Sequence, residues 1–84
     1  MKNKYELKSF ILRSENRKNI IKELLKGNKT ASDLVKVTGM YKSHVSRTLK
    51  ELMEEKLIGC LNPKDREYKF YKLTNKSKEI IKNI

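Results

Sequence analysis

Between Thr38 and Lys42 the chain has only Gly39, Met40 and Tyr41 in which to close one amphipathic segment and open another. Upstream, Thr30-Ala31-Ser32-Asp33 has the form of a capping box with Asp in place of Glu. Its hydroxyl can accept the backbone N–H three residues on, and its carboxylate can reach back to the cap. The spacing predicts a short helix with Ala31, Leu34, Val35 and Thr38 facing inward, ended by Gly39. Downstream, Val45, Leu49 and Leu52 mark the buried side of a helix that begins near Tyr41 or Lys42 and runs to about Glu55. Two helices joined by three or four residues including a glycine are the helix-turn-helix signature.

The flanks complete an architecture. Tyr5, Leu7, Phe10 and Ile11 give residues 4–12 a rough helical spacing. Ser14-Glu15 starts a better helix, with Ile20, Ile21, Leu24 and Leu25 on one stripe and Gly27 at its end. After residue 55 the period changes. Leu57–Leu61 is a short apolar strand, and Tyr68–Leu73 alternates as a β-strand does. The turn-like, charged residues 62–67 between them make a hairpin. Thr74 then caps a last helix, whose Ile80, Ile81 and Ile84 can return to the core. The expected fold is mainly α with a β-hairpin (α+β): a winged helix-turn-helix, as a single domain over residues 1–84.

Composition narrows the function. A chain of 84 residues buries only about 60% of its unfolded surface, which leaves no room for a large catalytic cavity. Leu, Ile, Val and Phe still supply 22 residues, enough for a core. No apolar run is long enough to span a membrane, and no apolar stretch follows the basic Met1–Lys4 as in a signal peptide. One cysteine, Cys60, and one histidine, His44, make neither a disulfide nor a zinc site. The expectation is a cytoplasmic protein with no metal, no cofactor and no enzymatic activity. Paired carboxylates, a nucleophile with its base, and a glycine-rich phosphate loop are all missing from the sequence. A net charge of +11 favours a polyanionic partner over a merely solvated lysine-rich surface.

Where the charge stands is more informative than its size. Lys42, Arg47 and Lys50 occupy the first two-thirds of the 42–55 helix, and Glu51, Glu54 and Glu55 occupy its end. The helix dipole favours the reverse order by about 0.3–1 kcal/mol per charge near an end. Arg47–Glu51 and Lys50–Glu54 are also in the less favourable base-then-acid order. A helix whose N-terminal half enters the DNA major groove would be written this way. Ser43 and Ser46 are small enough for close approach, Arg47 can bond a guanine bidentately, and Tyr41 or His44 can reach a base edge or a phosphate. Thr30, at the mouth of the preceding helix, joins them as a candidate contact.

Other residues carry two readings each. His44 is a DNA contact or simply solvated. Cys60 reads as a small buried hydrophobe rather than a reactive thiol. Tyr68, Phe70 and Tyr71 offer stacking faces for single strands, but alternation splits them, and the face shared with Leu73 reads as core. Lys64, Arg66 and Lys69 form a wing for the DNA backbone or minor groove, diluted by Asp65 and Glu67.

Ser43-His44-Val45-Ser46-Arg47-Thr48-Leu49-Lys50-Glu51-Leu52 resembles the recognition helix of ArsR/MarR-like winged-helix transcription regulators, particularly small archaeal ones. Thr30–Leu34 through Thr38-Gly39 resembles their preceding helix, and Phe70–Thr74 with Lys78-Glu79-Ile80 their second wing strand and closing helix. The resemblance covers roughly residues 10–84. It implies sequence-specific binding of double-stranded DNA, with residues 42–55 in the major groove and 62–69 as a wing. An RNA-binding or protein-docking winged helix is the alternative. Relatives often dimerise through terminal helices, which makes Tyr5, Leu7, Phe10 and Ile11, or Ile80–Ile84, a candidate homodimer surface. Tyr41 stands where such families carry a small cap residue. Lys56 stands where they carry glycine, so a left-handed lysine is expected there, at a cost of about 1 kcal/mol. The clustered Cys and His ligands of metal-sensing relatives are not present.

Overall fold

The computed structural model describes residues 2–82. Short polar side chains start most of its helices by accepting a backbone N–H that has no partner within the helix. Asn3 accepts from Glu6 at 2.9 Å and opens α1, Lys4–Leu12. Ser14 accepts from Arg17 at 3.3 Å and opens α2, Glu15–Lys26. After the two-residue strand β1, Lys29–Thr30, the capping box forms in full. Thr30 accepts from Asp33 N–H, and the Asp33 carboxylate accepts from Thr30 N–H, each at 3.1 Å. It opens α3, Ala31–Thr38, which stops at Gly39 in the left-handed region, φ 73°.

The next helix, α4, spans Lys42–Glu54 and begins after Tyr41, which makes no side-chain cap. It ends in a left-handed turn at Lys56, φ 60°. There Leu57 N–H donates to Leu52 C=O and Lys56 N–H to Met53 C=O, both at 2.9 Å. This is the Schellman pattern, and its hydrophobic contact falls to the buried Leu52 and Leu57. Strands β2, Ile58–Cys60, and β3, Phe70–Leu73, follow, and Thr74 caps α5, Asn75–Ile80. The sheet is antiparallel with order β1-β3-β2, pairing Lys29 with Tyr71 and Cys60 with Tyr71 on either side of β3. Five helices and this sheet make a winged helix. The first strand is an addition to the expected hairpin: two residues show no periodicity, so only the pairing reveals them.

One core unites the elements. Ile20, Ile21 and Leu24 of α2, Leu34 of α3, and Val45, Leu49 and Leu52 of α4 meet Leu57, Ile58 and Leu73 from the sheet side. Leu7 and Ile11 of α1 and Ile80 and Ile81 at α5 are buried in the same cluster. They therefore close this chain's own core and are not free to form the surface of a dimer. Tyr5 stays 81% exposed, and Ile84 lies outside the described residues. No described helix is long and apolar enough to cross a membrane.

Candidate nucleic-acid interface

Burying Val45, Thr48, Leu49 and Leu52 fixes the rotation of α4 about its axis, because a 3.6-residue period then leaves the rest outside. Thr48 joins the stripe because its hydroxyl donates to His44 C=O at 2.7 Å and so needs no water. Lys42, Ser43, His44, Ser46, Arg47 and Lys50 are all exposed. Tyr41 stands at the head of the helix, 77% exposed, with its ring edge-on to His44 at 5.6 Å between centroids. No side chain caps the helix and no acid lies in its first turn. The positive end of the α4 dipole thus opens onto the surface that carries these residues.

The acids at the far end have tertiary partners. The Arg17 guanidinium reaches both carboxylate oxygens of Glu51, at 3.4 and 3.1 Å, and Lys2 Nζ reaches Glu55 at 2.7 Å. The Lys2 contact holds the Glu55 carboxyl below its ordinary pKa. Stability therefore does have a use for acids at the tail of α4: they tie the helix to the N-terminal part of the chain. The unexplained half of the reversed charge pattern is the basic head. Among the described residues the ion pairs are Lys2–Glu55, Arg17–Glu51, Lys18–Glu15 and Lys26–Glu23, and none takes a side chain from 42–50 or from the wing.

The wing is built by two of its own polar residues. Asn62 bridges to Tyr68 and Phe70, and the Asp65 carboxylate accepts N–H bonds from Glu67 and Tyr68, each 2.9 Å. Those amides, Tyr68 before Glu67, hold Asp65 below its ordinary pKa. Its charge is thus engaged with the loop that displays the exposed Lys64, Arg66 and Lys69.

Two shallow hollows join α4, the start of α3 and the wing. Ser46 and Lys50 share one with Ala31 and Tyr71, and Ala31 and Tyr71 share the next with Ser32, Arg66 and Lys69. Lys42 lines a third with Ser32 and Lys36 of α3. Ser32 and Lys36 are thus additions to the candidate set, which α3's exposed face could have suggested. Thr30 is placed differently from the expectation. It is only 8% exposed, and its hydroxyl is engaged by the capping box. Of the aromatic residues, Tyr71 packs against the core while Tyr68 and Phe70 stay exposed. Cys60 is half-buried, its thiol 3.8 Å from Asn62 Oδ1. No group of three or more His, Cys, Asp or Glu that could hold a metal occurs among the described residues.

Solved structures share this fold. The adhesin competence repressor of Streptococcus pyogenes superposes with a TM-score of 0.74 at 20% identity, over 82% of this chain and 52% of its own. The chain thus spans about half the length of that repressor. HlyU of Vibrio cholerae superposes with a TM-score of 0.73 at 23% identity, over 96% of this chain and 91% of its own. Comparison with curated protein sequences gives no match. The sequence profile described as "bacterial regulatory protein, arsR family" matches residues 14–58, more than half of the chain and the whole of α2, α3 and α4. The chain belongs to the arsR family of bacterial regulatory proteins, and its fold is that of a DNA-binding winged helix.

Proposed function

We propose that this transcription regulator reads double-stranded DNA with the N-terminal half of α4 in the major groove and residues 62–69 along the backbone or minor groove. Tyr41, Lys42, Ser43, His44, Ser46, Arg47 and Lys50 supply the groove contacts, and Lys64, Arg66 and Lys69 the wing contacts. The observation that carries this reading is the basic head of α4, which enters no ion pair among the described residues and lies beside a helix start with no side-chain cap, while two of the acids at its tail are drawn into tertiary pairs. Base-edge readout suits Arg47, whose fork matches guanine; the lysines suit phosphates.

The chain's tally of exposed cations gives a direct test. Binding to duplex DNA, single strands and RNA is compared by mobility shift across salt concentrations. Duplex affinity should fall about tenfold or more between about 50 and 200 mM salt, as neutralised phosphates release their counterions. Equal or tighter binding to RNA would overturn the reading. A homodimer through the terminal helices belongs to the same proposal. The exposed Tyr5 and its neighbours Lys4, Lys8 and Glu79 are the contact surface that remains once Leu7 and Ile11 are buried. Its check is the sequence selected from a random duplex pool, which a two-fold dimer makes a pseudo-palindrome.

A further inference from the structure

Glu51 lies four residues after Arg47, so the two side chains are neighbours on the surface of α4. An isolated helix would let them pair. Here Arg17, from the first turn of α2, takes Glu51 instead. Its Nε and Nη2 donate to the two carboxylate oxygens at 3.4 and 3.1 Å. Its Nη1 donates to Phe10 C=O at 2.8 Å, and its guanidinium carbon lies 3.7 Å from the Phe10 ring centroid. Such a fork, held on one side by a carbonyl and on its face by a ring, occupies both oxygens of one carboxylate at little further entropic cost. The Arg17 side chain is 19% exposed and that of Glu51 37%, so the pair is more sheltered than a solvated one along the helix would be.

We propose that Arg17 is a positioning residue for DNA reading: by sequestering Glu51 it leaves the Arg47 guanidinium unpaired and available to the groove. The inference rests on the DNA-binding reading above and adds to it a reason for the acid beside the reading arginine. Without Arg17, the freed carboxylate competes with the nucleic acid for Arg47 and repels the phosphates near it. The expected loss is roughly two- to fivefold, the range of an exposed ion pair. Glu55, one turn further on, is engaged by Lys2, so the N-terminal segment draws both of these acids away from the reading surface.

The test is the ratio of affinities for the selected duplex and for a scrambled one, measured on variants shown by circular dichroism to be folded. Arg17→Ala should lower that ratio, Glu51→Gln should leave it near wild type, and Arg17→Ala combined with Glu51→Gln should restore it. Arg17→Lys, which keeps one contact and the charge, should fall between and serves if the alanine variant does not fold. A tether that merely stabilised the helix would give a double variant no better than Arg17→Ala, and that result would overturn the proposal. An unchanged ratio in Arg17→Ala and Arg17→Lys would overturn it too. Wild-type protein that binds no duplex removes the DNA reading itself, and this inference with it.

Discussion

Asn62 continues the β2–β3 pairing beyond the end of β2: its Oδ1 accepts the backbone N–H of Phe70 at 2.8 Å. Its Nδ2 donates to Tyr68 C=O at 2.6 Å, and Leu61 N–H donates to Phe70 C=O at 2.8 Å. A side-chain amide, with one acceptor and two donors, here imitates a strand's backbone for one more rung. The loop that follows is thereby closed at its base.

Asn62→Ala should therefore loosen the wing without unfolding the domain. Each lost bond is worth about 0.5–1.5 kcal/mol, toward the low end because both are exposed. Amide exchange at Phe70 should speed up several-fold, while amides of the buried α4 stripe keep their protection. Unchanged exchange at Phe70 would show that the strand ladder alone orders the loop.

Lys56 carries a left-handed φ of 60° that its side chain disfavours, yet the turn needs that conformation to make the Schellman bonds. Lys56→Gly should relieve the strain and raise stability by about 0.5–1 kcal/mol, after allowing for glycine's greater freedom in the unfolded chain. Urea unfolding should show a higher midpoint with an unchanged slope. A lower midpoint would mean that the lysine stem makes compensating contacts.

These two positions show how differently the chain declares itself. Lys56 could be expected to be left-handed in advance, because it stands where the winged-helix regulators that the sequence resembles carry glycine, and its φ is 60°. Ser14, Thr30 and Thr74 were equally legible, since capping is a contest among neighbours in sequence. The roles of Glu51 and Glu55 were not. Their partners Arg17 and Lys2 are 34 and 53 residues away, and only the packing of α2 against α4, with α1 packed on α2 and α5, brings them together. Leu7 and Ile11 carried a helical spacing that suits a core or a dimer alike. Within the candidate interface, the exposed face of α4 followed from its buried stripe. The concavity shared with Ser32 and Lys36 needed the angle between two helices, which periodicity does not contain.

The capping box makes stability depend on acid. The Thr30 backbone and side-chain hydrogen bonds hold Asp33 below 3.8, the ordinary aspartate value. Above 3.8 the carboxylate is ionised in both folded and unfolded chains, and its contribution is present in full. As the pH falls, the unfolded chain takes up the proton first, so the contribution declines and is gone below the folded-state value. Asp33→Asn should lose stability at neutral pH and flatten the acid limb of the stability curve below 3.8. A parallel acid limb in wild type and variant would assign the acid sensitivity elsewhere.

Arg47 and Lys64 separate base reading from backbone contact. Both are exposed and neither enters an ion pair among the described residues, so either can be truncated with little effect on the fold. Arg47 projects from the middle of α4, where a helix seated in the major groove meets base edges. Its replacement by alanine should weaken binding to the preferred duplex by about 1–3 kcal/mol and relax the preference at one base pair. Lys64 stands on the wing, whose lysines take a phosphate-contacting role in the proposed reading. Lys64→Ala should weaken all sequences alike and reduce the slope of log affinity against log salt by about one. Fluorescence anisotropy with selected and scrambled duplexes, at three or more salt concentrations, measures both quantities on the same samples. If the two variants lose affinity in the same way, with the same salt slope and the same preference, then α4 and the wing do not divide the work as their geometry suggests.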